Sequence, residues 1–216
     1  MKIYSPPINR AENRPGKGFT LIEMIGVLAV IAILAAVLIP KVYQAINDSR
    51  VSGASMTCNT VKTAIADHYA KAGTLQAQVA QNGTITPLTI PVVNYDQILL
   101  TEGFLDKPFA VKIGDGSVTN MVKLVSLNGL TNGPVDGTEL TGFALAGGGT
   151  NQVIGSACAM AIISGVLETD AKDLNDRIDG PSLGVALGSA PDINGRVKYA
   201  LPVNGVTTVY VYLTHR

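Results

Sequence analysis

The chain has 216 residues, 47% hydrophobic and only 15% charged, and its mean hydropathy is positive. That balance marks a protein of which some part belongs in lipid or in a packed assembly. Its 16 basic and 16 acidic side chains cancel, which excludes the broad basic face of a dedicated nucleic-acid binder.

The charges are unevenly placed. Four basic residues (Lys2, Arg10, Arg14, Lys17) against Glu12 give residues 1–18 a net +3, and 12 basic against 15 acidic leave the rest at −3. A basic flank before an apolar run is the positive-inside signature, so the first residues are expected in the cytoplasm and the remainder outside. The run itself, residues 19–39, has Thr20 and Glu23 as its only polar members. As a helix it reaches about 31 Å, the thickness of a bilayer's hydrocarbon. A secretory signal would show a small-residue cleavage site on its far side. Here Pro40-Lys41-Val42-Tyr43 opens a long amphipathic segment instead, and the alternative cleavage position lies before the run, at Gly18-Phe19.

Beyond Pro40, Val42, Ile46, Ala54, Cys58, Val61, Ile65 and Tyr69 recur at helical steps, predicting an amphipathic continuation that ends near Gly73. Pro40 inside that helix predicts a kink. Residues 74–94 read as a polar surface loop, and 95–109 as a short helix capped at Gly103 followed by an extended piece. Residues 121–127 and 142–148 are strand candidates, separated by turn signals at 128–129, 132–133 and 136–137. Residues 156–179 return to helical spacing through Leu167, Ala171, Leu174 and Ile178. Glu168 with Lys172 and Asp173 with Arg177 form i,i+4 pairs there. The C-terminal stretch alternates on both sides of Asn204-Gly205, a hairpin signal. The expected class is α+β: a long N-terminal helix, half transmembrane and half amphipathic, packed on a mostly antiparallel sheet. Its expected divisions are a cleaved basic leader (1–18), an assembly helix (19–40), the amphipathic continuation (41–73) and a globular head (74–216).

An ionised carboxylate in a bilayer costs up to about 3 kcal/mol, less near an interface. Glu23 can meet that cost by reaching headgroup water, or by a partner. Cleavage after Gly18 supplies one: the new ammonium at Phe19 lies four residues before Glu23. Two such helices displaced along their axes pair amine with carboxylate, a head-to-tail contact that builds helical filaments rather than closed rings. On this reading Glu23 is an assembly key rather than a catalytic acid.

The stretch "KGFTLIEMIGVLAVIAILAAVLIPKV" resembles the N-terminus of type IV pilins and of the related pseudopilins of type II secretion. The shared features are a short basic leader, a small residue at the cut, an aromatic first mature residue, glutamate at the fifth mature position, and a proline closing the apolar block. The resemblance covers about residues 16–45. It implies a pilin-like fold, cleavage at Gly18 by a prepilin peptidase, an N-methylated Phe19, pairing of Glu23 with a neighbour's terminus, and a kink or melting point at Pro40. Many pilins carry glycine midway through the block, where this chain has Ala32. The implied partners are copies of the chain itself in a helical polymer, the peptidase, membrane lipid before assembly, and an inner-membrane platform driven by a cytoplasmic ATPase. The implied location is the bacterial inner membrane, single-pass with a cytoplasmic N-terminus, and then an extracellular or periplasmic filament. The anchor is common to pilus subunits, secretion pseudopilins and minor tethered binding pilins.

Other constellations weigh less. Cys58 and Cys158, both placed outside the cytoplasm, are candidates for a disulfide stapling the head to its helix. His68 and His215 lack ligand spacing and read as surface or cap residues. Gly147–Gly149 lacks the continuation of a phosphate loop. Asp170, Asp173, Asp176 and Asp179 invite a calcium reading, but their spacing winds around a helix and favours a solvated face. Phe19, Tyr43 and Tyr69 read as packing residues rather than an electron path. No catalytic constellation, cofactor or metal is expected.

Overall fold

A computed structural model describes residues 18–114, 120–127, 135–139, 141–153 and 157–216. In chain order its elements are α1 (Leu21–Ala72), β1 (Ala77–Val79), β2 (Ile85–Pro87), α2 (Tyr95–Thr101), β3 (Met121–Ser126), β4 (Ala157–Leu167), α3 (Glu168–Ile178), β5 (Val197–Tyr199) and β6 (Val206–His215). β1 and β2 form one antiparallel pair, and a second sheet has the order β3-β4-β6-β5 with every pairing antiparallel. This is the expected α+β architecture with a long apolar helix at its start. The chain forms two compact units, one ending at Gln44 and one running from Ala45 to Arg216.

In the first unit the described residues are the start of α1. Large apolar side chains from Phe19 to Val42 stand exposed, and Pro40 lies inside the helix without ending it. A helix that is apolar all round and unburied within its own chain is built for lipid or for other helices.

In the second unit α1 buries Val51, Ala54, Cys58, Val61, Ala64, Ile65 and His68, which recur at steps of three and four. The stripe starts later than the sequence suggests, since Val42 and Ile46 are exposed. Gly73, at φ 73, closes the helix by donating to the Tyr69 carbonyl at 2.8 Å, a left-handed cap that suits glycine. The buried stripe shares one apolar cluster with the inner face of the sheet, where Ala157, Ala159 and Ala161 of central β4 meet Val209, Val211 and Leu213 of β6. Three alanines on that face leave room for a helix. The outer face has its own cluster of Val125, Leu127, Phe143, Val153, Cys158, Met160 and Ile162.

Both sheet edges are covered. Val92 and Leu124 exchange two backbone bonds (2.8 and 2.9 Å) along β3, and Asp192 and Tyr199 exchange two (3.0 and 2.8 Å) along β5. Short bridges of this kind blunt an edge against strand addition.

Several expectations are corrected. Residues 157–167 are a strand, not helix: the run is buried on both faces, so period-2 alternation gave no visible signal, and alanine content imitated a helix. Helix begins only at Glu168. Residues 142–148 form no strand. Ala144 makes one isolated parallel bridge to Asn194, and Gly147, Gly148 and Gly149 then turn the chain with positive φ. The 74–94 loop holds the β1–β2 hairpin, whose Asn82-Gly83 turn was a readable signal. On α3 the ion pair is Lys172–Asp176 at 2.9 Å, while Arg177 reaches Asp48 at 3.2 Å and Glu168 accepts the Gly188 N–H at 2.5 Å. The short helix before Gly103 and the turn at Asn204-Gly205 are present. The turn signals at 128–129 and 132–133, and leader residues 1–17, lie outside the described residues.

Lys198 of β5 is fully buried on the outer side, donating to the Thr141 carbonyl, 4.8 Å from the Phe143 ring centre and 5.8 Å from that of Tyr210. Burial pushes its amine from 10.5 down to about 8, against the opposing pull of Asp136. The unfolded chain keeps this proton until about pH 10.5 and the folded chain releases it near 8. The stability contributed at this position therefore rises as pH climbs between those values. Relative to the parent, Lys198→Met is expected to lose about 3 kcal/mol between pH 7 and pH 10.5, read as the change in the difference of urea unfolding free energies.

Candidate assembly site

Gly18, Phe19 and Thr20 precede the first turn of α1 and are exposed. With Leu21 the first helical residue, Thr20 is the N-cap and Glu23 the third helical position. Glu23 Oε2 accepts from the Thr20 N–H at 2.8 Å and from the Thr20 hydroxyl at 2.7 Å, and the Glu23 N–H donates back to Thr20 Oγ1 at 3.3 Å. This reciprocal arrangement is a capping box, and its Thr-x-x-Glu signature stands in the sequence. The carboxylate thus has a partner within its own chain, and among the described residues its second oxygen accepts no hydrogen bond.

The cysteines do not form the expected staple. Both are free thiols, Cys58 in the cluster between α1 and the sheet and Cys158 in the cluster on the opposite face. The cause is the strand at 157–167, where Cys158, Met160 and Ile162 belong to the cluster on the face away from α1. Burial pushes both thiols up to about 12, far from a reactive thiolate.

His68 is likewise not a surface residue. It is fully buried on α1, its Nδ1 lies 2.5 Å from Glu102 Oε2, and its ring meets Tyr95 and Phe104 edge-on. No ligand spacing marks this pair in the sequence, because its members are 34 residues apart. His215 bonds the Tyr212 hydroxyl at 2.6 Å.

The aspartates of α3 diverge. Asp176 pairs with Lys172, Asp179 caps the Arg196 and Val197 N–H groups at 2.7 and 2.8 Å, and no group of three or more potential metal ligands occurs among the described residues. Phe19 and Tyr43 are exposed, and Tyr69 packs under the Arg216 guanidinium at 4.9 Å.

An exposed apolar helix, a cap built from Thr20 and Glu23, and an exposed Gly18-Phe19 junction ahead of it form one continuous N-terminal signature. Residues 13–39 match the family model of the prokaryotic N-terminal methylation motif. This motif is the signature of type IV pilins and pseudopilins, so the chain is pilin-like in its membrane-anchoring segment. No solved structure matches the chain.

Proposed function

We propose that this protein is a structural subunit of a type IV pilus or pilus-like filament. The observation that carries the reading is the methylation motif, whose residues Leu21 to Ile39 lie on α1 with their large apolar side chains exposed. In the reading, a prepilin peptidase cuts after Gly18, Phe19 becomes the methylated terminus, and α1 passes from lipid into a filament core. That transfer changes the apolar environment little, so close packing and polar pairing select the register. Glu23 supplies the carboxylate for a neighbour's Phe19 ammonium. Pro40 provides a point where the helix can bend during packing. The basic flank Lys2, Arg10, Arg14 and Lys17 keeps the leader on the cytoplasmic side of the inner membrane. The work of extraction comes from an assembly platform with its own ATPase.

Intact mass and N-terminal sequencing of protein from sheared surface material and from membranes test the reading. The expected result is a chain starting at Phe19, with a methyl group, abundant in the sheared fraction. A chain found only in membranes and still carrying its leader would make α1 a simple tether for the head.

A further inference from the structure

Three Asn-Gly steps lie in the described residues, at 82–83, 194–195 and 204–205. In such a step no side chain on the glycine shields its nitrogen from the asparagine Cγ, so the two can react when both are free to move. All three glycines hold positive φ (83, 88 and 81), and conformation at glycine therefore does not separate them. Hydrogen bonding does. At the first step the Gly83 N–H donates to the Ala80 carbonyl at 2.8 Å, and Asn82 Oδ1 accepts from the Thr84 N–H at 3.0 Å. At the second the Gly195 N–H donates to the Ala144 carbonyl at 2.8 Å, and Asn194 Oδ1 accepts from the Gly149 N–H at 2.9 Å. Gly195 is also buried, with no room for a side chain beside the Asp179 carboxylate. Both reacting groups are tied in each case. At the third step both residues are exposed, and among the described residues neither the Gly205 N–H nor the Asn204 side chain has a hydrogen-bond partner. The backbone bonds that close this turn, at 2.9 and 3.3 Å, join Val203 and Val206 on either side of the pair.

We propose that Asn204-Gly205 is a covalent modification site of the folded head, where the asparagine is deamidated with water as the only co-reactant. The Gly205 nitrogen gives up its proton and bonds to Asn204 Cγ. The bond from Cγ to the side-chain nitrogen breaks, and that nitrogen leaves with the proton as ammonia. Water then opens the resulting cyclic imide. Opening at Cγ leaves aspartate, and opening at the backbone carbonyl leaves isoaspartate, whose chain runs through the former side chain. Either product puts a carboxylate where a neutral amide stood, so the formal net charge passes from zero to −1. The new charge is set among exposed Leu201, Val203 and Val206, beside a cleft of about 370 Å³ that no charged side chain lines. Isoaspartate also adds a methylene to the backbone of a two-residue turn whose length fixes the pairing of its arms, so the Val203–Val206 bridge has to reshape. The reaction needs no enzyme and is independent of whether the chain polymerises.

The test incubates the full-length chain in detergent at neutral pH and follows the three Asn-Gly peptides by mass spectrometry, where deamidation reads as a gain of one mass unit. A labelled methyl group transferred by an isoaspartyl methyltransferase marks the isoaspartate product, and isoelectric focusing shows the matching acidic species. Two hydrogen bonds have to break before either of the other steps reacts, so position 204 is expected to convert at least about tenfold faster than 82 or 194. The same chain in guanidinium chloride has lost those bonds, and its three rates are expected to converge. An Asn204 that stays unmodified in the folded chain, or conversion at 82 or 194 that keeps pace with it, overturns the proposal. So does a preference for 204 that persists undiminished in guanidinium chloride, because the fold would then not be its cause.

Discussion

Glu23→Gln is expected to stop filament formation while leaving membrane insertion and cleavage at Gly18-Phe19 intact. The choice of glutamine matters because Glu23 has two separable roles. Within its own chain it completes a capping box with Thr20, through bonds of 2.8 and 2.7 Å. Glutamine can occupy that position of a capping box, so the helix start survives. Glutamine carries no charge, so a neighbour's Phe19 ammonium would be packed among apolar helices without a counter-ion. Removing one member of such a desolvated pair typically costs about 3–5 kcal/mol, a hundredfold or more in subunit affinity. Thr20→Val separates the roles from the other side: it removes the hydroxyl of the cap, worth about 1 kcal/mol, and keeps the carboxylate. The expected order of filament yield is parent, then Thr20→Val, then Glu23→Gln at background, measured as the sheared fraction against the membrane pool. Parent-level filaments from Glu23→Gln together with failure of Thr20→Val would reduce Glu23 to a local helix cap.

How much of this was legible in the sequence depended on whether a segment's burial is one-sided. The apolar run at 19–39 and the stripe from Ala54 to Ile65 announced α1, because lipid exposure and a single buried face both leave clear patterns. Asn204-Gly205 announced its turn, because two consecutive positive φ values restrict residue choice. β4 is hard to read from the sequence for the opposite reason. Covered by α1's cluster on one side and by Phe143, Val153 and their neighbours on the other, it has no polar face to reveal its period. The disulfide expectation falls with it, since Cys158 lies on the outward face of a strand and Cys58 in the cluster on the other face. The Thr20–Glu23 box stood in plain view as Thr-x-x-Glu. His68 with Glu102 did not, because burial of a distant pair is a property of the tertiary fold.

That pair is expected to carry the largest stability effect of any single substitution in the head. His68 and Glu102 side chains are 0% and 1% exposed, and Glu102 uses its second oxygen to accept the Val79 N–H at 2.6 Å. One carboxylate therefore holds α1, β1 and the end of α2 together. Tyr95 adds a bond from its hydroxyl to the Leu75 carbonyl at 2.9 Å. Among the described residues the buried His68 Nε2 has no hydrogen-bond partner, so the bond from Nδ1 to Glu102 is what satisfies the ring. Glu102→Ala leaves the imidazole and the Val79 N–H both unsatisfied and is expected to cost about 3–5 kcal/mol. Replacing both members, His68→Leu with Glu102→Leu, removes the desolvated groups together and should recover much of that loss. Urea unfolding of the full chain in detergent, followed by circular dichroism and arranged as a double-mutant cycle, measures the coupling. Hydrogen exchange locates it: in Glu102→Ala, protection should fall first across residues 75–105 while β4 and β6 remain protected. A cost of Glu102→Ala no greater than the roughly 0.5 kcal/mol of an ordinary surface change would mean that apolar packing around Tyr95 and Phe104 alone fastens this segment to α1.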